Sequence, residues 1–119
     1  MQDYRHLKVW QRSHQLVLGV YRLTGEFPTD ERYGLTSQIR RSAMSIPSNI
    51  AEGSARGSDS DFARFMHIAM GSAAELDYQL LLAHDLQLLE PSVYQELAGE
   101  LTEVRRMLTA FSQKLKAHG

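Results

Sequence analysis

The stretch PSVYQELAGELTEVRRMLTAFSQKLKAHG (residues 91–119) decides the fold class. Within it Tyr94, Leu97, Leu101, Val104, Leu108, Phe111 and Leu115 recur at alternating steps of three and four. That is the 3.5-residue seam of left-handed helix packing, not the strict alternation of a half-buried strand. Pro91 stands at the start of the seam, where a helix has no N–H bond to lose. Upstream, the punctuation falls at Phe27-Pro28-Thr29-Asp30, at Gly53-Ser54-Ala55-Arg56-Gly57-Ser58 and at Glu90-Pro91-Ser92. These breaks predict helices over about 4–26, 31–53, 59–89 and 91–117, forming one domain over residues 1–119. The economical packing is all-α, an antiparallel up-and-down four-helix bundle.

The other segments carry seams of the same kind. Leu35, Ile39, Ala43, Ile46 and Ile50 stripe the second one, with Pro47 in conflict inside it. Because Ile50 stays in phase with Ile39, the spacing predicts a helix kinked near Pro47 and ending near Glu52, rather than two short helices. Ser58 can cap the third helix, with Asp59 and Asp61 in its first turn. From there to Leu89 nothing breaks the pattern, a length of roughly 45 Å at 1.5 Å per residue. Its seam of Phe62, Phe65, Ala69, Ser72, Leu76, Leu80 and Ala83 has a waist of small residues, Gly71, Ala73 and Ala74. The first segment has two stripes: Leu7, Trp10, His14, Val17 and Tyr21, and Val9, Leu16, Val20 and Leu23. A helix apolar on two faces has more to bury than one bundle partner covers, which predicts an oligomer.

A chain of 119 residues can close a core without staples, and this one contains no cysteine. Disulfides, thiolate metal sites and cysteine nucleophiles are therefore excluded. No signal-peptide pattern and no apolar run long enough to span a bilayer is present, so a cytoplasmic protein is expected. Bundles often house di-iron centres through Glu-x-x-His, but no histidine has Glu three residues before it. There is no His-Glu-x-x-His site, nucleophile elbow or phosphate loop. His14 reads as a core histidine, His67 as the edge of an interface, and Glu75 with Asp77 as a solvated or ion-paired face. No enzyme, cofactor, metal or small-molecule substrate is expected.

The formal net charge of −1 argues at first sight against a polyanion partner. Its distribution is uneven. Residues 58–90 hold six acidic groups and one basic group, while residues 1–57 hold eight basic groups and five acidic ones. Ten of the thirteen cations are arginine, the side chain suited to bidentate phosphate contact. Arg40 and Arg41 are adjacent, and Arg56 precedes a helix N-terminus in a glycine-containing loop. With Lys8 and Arg12 they are the nucleic-acid-binding candidates. In the competing reading, the arginines pair with acidic residues of the third helix, within or between subunits.

Tyr33 to Gly53, reading YGLTSQIRRSAMSIPSNIAEG, resembles the bacterial four-helix-bundle proteins named for intervening sequences in 23S ribosomal RNA genes. Supporting matches are Leu7-Lys8-Val9-Trp10-Gln11, Phe27-Pro28, Phe62-Ala63-Arg64-Phe65 and Ala69-Met70-Gly71-Ser72-Ala73-Ala74-Glu75-Leu76. The resemblance makes Pro47 an expected feature. It implies a homopentamer with a non-enzymatic role, binding structured RNA or DNA or acting as an adaptor. Related accessory variability proteins of diversity-generating retroelements are basic pentamers, from which this near-neutral chain departs. Of the motif residues, Gln38, Arg41, Asn49 and Glu52 flank the second apolar stripe. Trp10, Gln38, Asn49, Glu52, Gly53 and Glu75 are read as serving assembly and structure, with Glu75 expected to pair with an arginine of the second helix.

Overall fold

Each apolar seam becomes one helix. The structure, a computed structural model, describes residues 3–118, with helices α1 (Lys8–Thr24), α2 (Leu35–Ser54), α3 (Asp59–Asp85) and α4 (Pro91–His118). Short 3-10 turns at Tyr4–His6 and Thr29–Glu31 precede α1 and α2, and no strand occurs among the described residues. Each helix packs on its neighbours in sequence, α1 closes on α4, and the Cα atoms of diagonal helices stay more than 8 Å apart. The result is an antiparallel up-and-down four-helix bundle measuring 45 × 23 × 20 Å.

The core takes Val9, Leu16 and Val20 from α1, Ile39, Ala43, Ile46 and Ile50 from α2, and Met66, Ala69, Ala73, Leu76 and Leu80 from α3. Leu97, Leu101, Val104 and Leu108 of α4 complete it. Of the two stripes on α1, the one through Val9 faces the core. The other stays at the surface: Trp10, His14 and Val17 are half-buried, and Tyr21 is 40% exposed. His14 is therefore not a core histidine; it stacks on Trp10 at 4.9 Å and 9°, and Tyr4 meets the indole edge-on at 5.0 Å.

Three boundaries lie four residues from the sequence expectation. Leu7 is extended (φ −81°, ψ 126°) and separates the Tyr4–His6 turn from α1, so the helix starts at Lys8 rather than Tyr4. Gly34 adopts φ −105°, ψ −110° and starts α2 at Leu35, whose N–H donates to Glu31 Oε1 at 3.3 Å. Helix α3 stops four residues early because Gln87 is left-handed (φ 62°). Its N–H donates to the His84 carbonyl and that of Leu88 to the Ala83 carbonyl, both at 2.9 Å, which is a complete Schellman stop.

Helix α2 runs as one element through buried Pro47. The proline withholds the N–H that the Ala43 carbonyl would accept. Next to it a polar seam lies beside the apolar one. Ser42 Oγ donates to Glu75 Oε1 (2.8 Å), and Ser45 Oγ meets Ser72 Oγ (2.7 Å). Asn49 Nδ2 donates to the Ser45 carbonyl (2.8 Å) and to its Oγ (3.0 Å). At the end of α2, Gly53 is buried against Phe62 and Phe65 of α3. A Cβ there would lie 2.7 Å from Phe62 Cδ1 and 2.8 Å from Phe65 Cβ, so α2 and α3 approach more closely than any side chain allows.

Candidate nucleic-acid interface

Antiparallel packing sorts the charges along the bundle axis. The half built from 3–16, 45–72 and 105–118 holds nine of the basic residues and four acidic ones. The other half holds four basic residues and ten acidic ones. A net charge near zero thus conceals an end-to-end polarisation, with the cations around both termini of the bundle and the α2–α3 connection.

The five candidates separate accordingly. Lys8, Arg12 and Arg56 lie in the basic half, and Arg40 and Arg41 in the other. Lys8 lines a groove of about 260 Å³ with Arg106 and Lys114, floored by Val9, Met107 and Phe111. On the far side of Phe111, Lys114 also borders a cleft of about 340 Å³ with Arg56 and His118, whose wall includes Asp59. Arg56 is held by Glu52 Oε1 at 3.1 Å and lies 4.7 Å from the centre of the Phe65 ring. Arg106 is paired with Glu103, whose carboxyl is held below the usual carboxylate range by that guanidinium and, more weakly, by Arg12 nearby. Exposed cations interleaved with Phe111 form a surface able to neutralise phosphates beside an aromatic face.

Sequence reading missed Arg106, Lys114 and Lys116 of α4. They lie far along the chain from Lys8, and only the antiparallel register of α1 and α4 brings them together. That antiparallel orientation follows from the three successive reversals of an up-and-down bundle, so the signal was present in the topology.

Arg40 is committed elsewhere. Its Nε donates to Thr24 Oγ1 (2.8 Å), its Nη2 donates to the Tyr21 carbonyl (3.2 Å), and its guanidinium lies 4.5 Å from the Tyr21 ring centre. It caps the C-terminal end of α1, where exposed carbonyls favour a cation. Arg40→Ala is expected to cost about 1–2 kcal/mol in urea unfolding, and Arg41→Ala less than about 0.5 kcal/mol. Arg41 is exposed and, among the described residues, its side chain donates only to Gln38 Oε1, at 2.9 Å.

Two expectations about acidic partners need correction. Glu75 does not pair with an arginine of α2; its carboxylate accepts from Ser42, because Arg41 points away to Gln38. Nor do Arg40, Arg41 and Arg56 pair with α3 within the chain. The acids of α3 are met by Arg64 on Asp61 (3.2 Å) and Arg105 on Asp77 (3.7 Å). Of the residues read as structural, Trp10, Gln38, Asn49, Glu52 and Gly53 all make contacts inside the chain. Among the described residues no group of three or more His, Asp or Glu side chains is placed to hold a metal ion.

The family model described as 23S rRNA-intervening sequence protein matches residues 5–110, nearly the whole bundle. The chain belongs to that family. A crystal structure of a protein of unknown function from the S23 ribosomal protein family, from Bacteroides thetaiotaomicron VPI-5482, superposes with a TM-score of 0.82. It is 24% identical, over 88% of this chain and 95% of that one, a likeness that shows the shared fold. No curated protein matches the chain. In this intervening-sequence protein no described helix is long and apolar enough to cross a membrane.

Proposed function

We propose that this intervening-sequence protein is a non-enzymatic, homo-oligomeric bundle of the cytoplasm that binds structured RNA, or another nucleic acid, through its basic half. The observation carrying the proposal is the axial charge separation, which focuses the cations of α1, the α2–α3 connection and α4 on one end. A pentamer, as the family resemblance implies, repeats that end five times and multiplies individually weak contacts. The surface stripe of Trp10, His14, Val17 and Tyr21 supplies apolar area for the subunit contacts, and light scattering is expected to give a multiple of the chain mass. A strictly monomeric species would count against the assembly.

Binding is tested with a folded RNA at low salt. Lys8→Glu/Lys114→Glu is expected to weaken it at least about tenfold and to flatten the salt dependence by the equivalent of about two phosphate contacts. Arg22→Glu, at the opposite end, leaves it unchanged. No binding at low salt, or equal loss from both variants, sinks the reading. The runner-up is a protein-interaction scaffold without nucleic-acid contact. It draws support from Leu18, Met44, Ile68, Tyr78 and Leu81, which are large apolar side chains at least 40% exposed. A protein partner that survives nuclease treatment would favour it.

A further inference from the structure

We propose that the cleft between the α1–α2 connection and the first turns of α2 binds a phosphate group or a similar tetrahedral oxyanion. The cleft has a volume of about 350 Å³, and its wall presents the side chains of Thr24, Thr29, Arg32, Thr36 and Arg40. Two guanidiniums and the Thr29 side chain thus border one concavity with no carboxylate in the wall, while the Thr24 hydroxyl donates to the Val20 carbonyl (2.7 Å). Arginine clefts with added hydroxyl donors are the arrangement that holds phosphate oxygens.

Two details make this more than a cationic patch. Arg40 is preorganised: Thr24 and the Tyr21 carbonyl fix its Nε and Nη2 against the Tyr21 ring, while Nη1 has no hydrogen-bond partner among the described residues. An anion arriving there meets a guanidinium already oriented, so little side-chain freedom is lost on binding. Arg32 is exposed and forms no ion pair among the described residues, so it is free to close over the cleft mouth.

The nearest carboxylates are those of Glu26, Asp30 and Glu31. Glu31 is turned toward the N-terminus of α2, where its Oε1 accepts from Leu35 N–H. By contrast, the cleft at the basic end has Asp59 in its wall, which opposes a compact anion there. This site lies at the other end of the bundle and does not depend on nucleic-acid binding by the basic half.

Amide NMR titration with inorganic phosphate, against chloride at matched ionic strength, tests the site. Saturable shifts are expected at Gly25, Thr29 and Thr36. Arg32→Gln should weaken them at least about tenfold while the rest of the spectrum holds. Lys8→Glu/Lys114→Glu should leave them unchanged, which separates this site from the RNA reading. A second arm compares 5′-phosphorylated with 5′-hydroxyl oligonucleotides. Preference for the former identifies a terminal phosphoryl group as the source, and equal weak binding with saturation by free phosphate identifies the small ion. Shifts that chloride reproduces, that never saturate, or that persist unchanged in Arg32→Gln would overturn the proposal.

Discussion

Gly53→Ala is expected to destabilise the bundle by about 2 kcal/mol, whereas Gly71→Ala stabilises it by about 0.5–1 kcal/mol. Gly71 lies in the middle of α3 and Gly53 is the penultimate residue of α2, so helix propensity favours alanine at Gly71 and by less at Gly53. They differ in what the new methyl meets. At Gly71 nothing lies within 4 Å, so the propensity gain is kept. At Gly53 the methyl would enter contacts of 2.7 Å with Phe62 Cδ1 and 2.8 Å with Phe65 Cβ. The Phe65 contact is the more severe, because a Cβ moves only with its backbone and α2 must separate from α3. Overpacking of this kind costs about 1–3 kcal/mol and exceeds the gain in helix propensity. Urea unfolding with an unchanged m-value measures both effects. Equal stability of the two variants would mean that the close approach at Gly53 does not exist in solution.

The same glycine shows what the sequence could and could not convey. Seam spacing gave four helices and their packing, because the bundle core is built from those apolar positions: Leu97, Leu101, Val104 and Leu108 are all buried as the spacing requires. Boundaries were less legible where the stop was not made by glycine or proline. Gln87 ends α3 in the left-handed region that glycine usually occupies, and no composition rule marks a glutamine as a stop. Leu7 interrupts the first segment with no breaker residue at all.

The candidate interface was legible only in part, for a different reason. Propensity and spacing place residues on helix faces, but they do not say which hydrogen bonds an arginine will find. Arg40 and Arg41 are neighbours in sequence, yet they point about a helical step apart. One caps α1 and the other stays at the surface. Segment-by-segment charge put the basic excess in the first half of the chain. Folding regroups it, because the C-terminal part of α4 brings Arg105, Arg106, Lys114 and Lys116 to the end that carries Lys8 and Arg56. The polar seam of Ser42, Ser45, Asn49, Ser72 and Glu75 likewise required knowing that α2 and α3 face each other in that register.

Phe62→Ala is expected to cost about 3 kcal/mol, the largest effect of any substitution considered, and to change what Gly53→Ala does. Phe62 is 6% exposed and meets Phe111 edge to face at 5.2 Å, so its ring ties α3 to α4 while it covers Gly53 of α2. Truncation removes the burial of a whole ring and opens the wall of the cleft that Arg56 and Lys114 share. Water can enter from that cleft, which keeps the cost at the low end of the range for a buried phenylalanine. In the Phe62→Ala background, the contacts of an alanine at position 53 with Phe62 Cδ1 and Cε1 disappear, while the one with Phe65 Cβ remains. A double-mutant cycle should therefore show a favourable coupling of about 1 kcal/mol, with Gly53→Ala still destabilising but less so. Zero coupling would assign the whole constraint at Gly53 to Phe65 and the α3 backbone. Full rescue would assign it to the Phe62 ring alone, and the helix approach would then be set by one side chain rather than by two helices in contact.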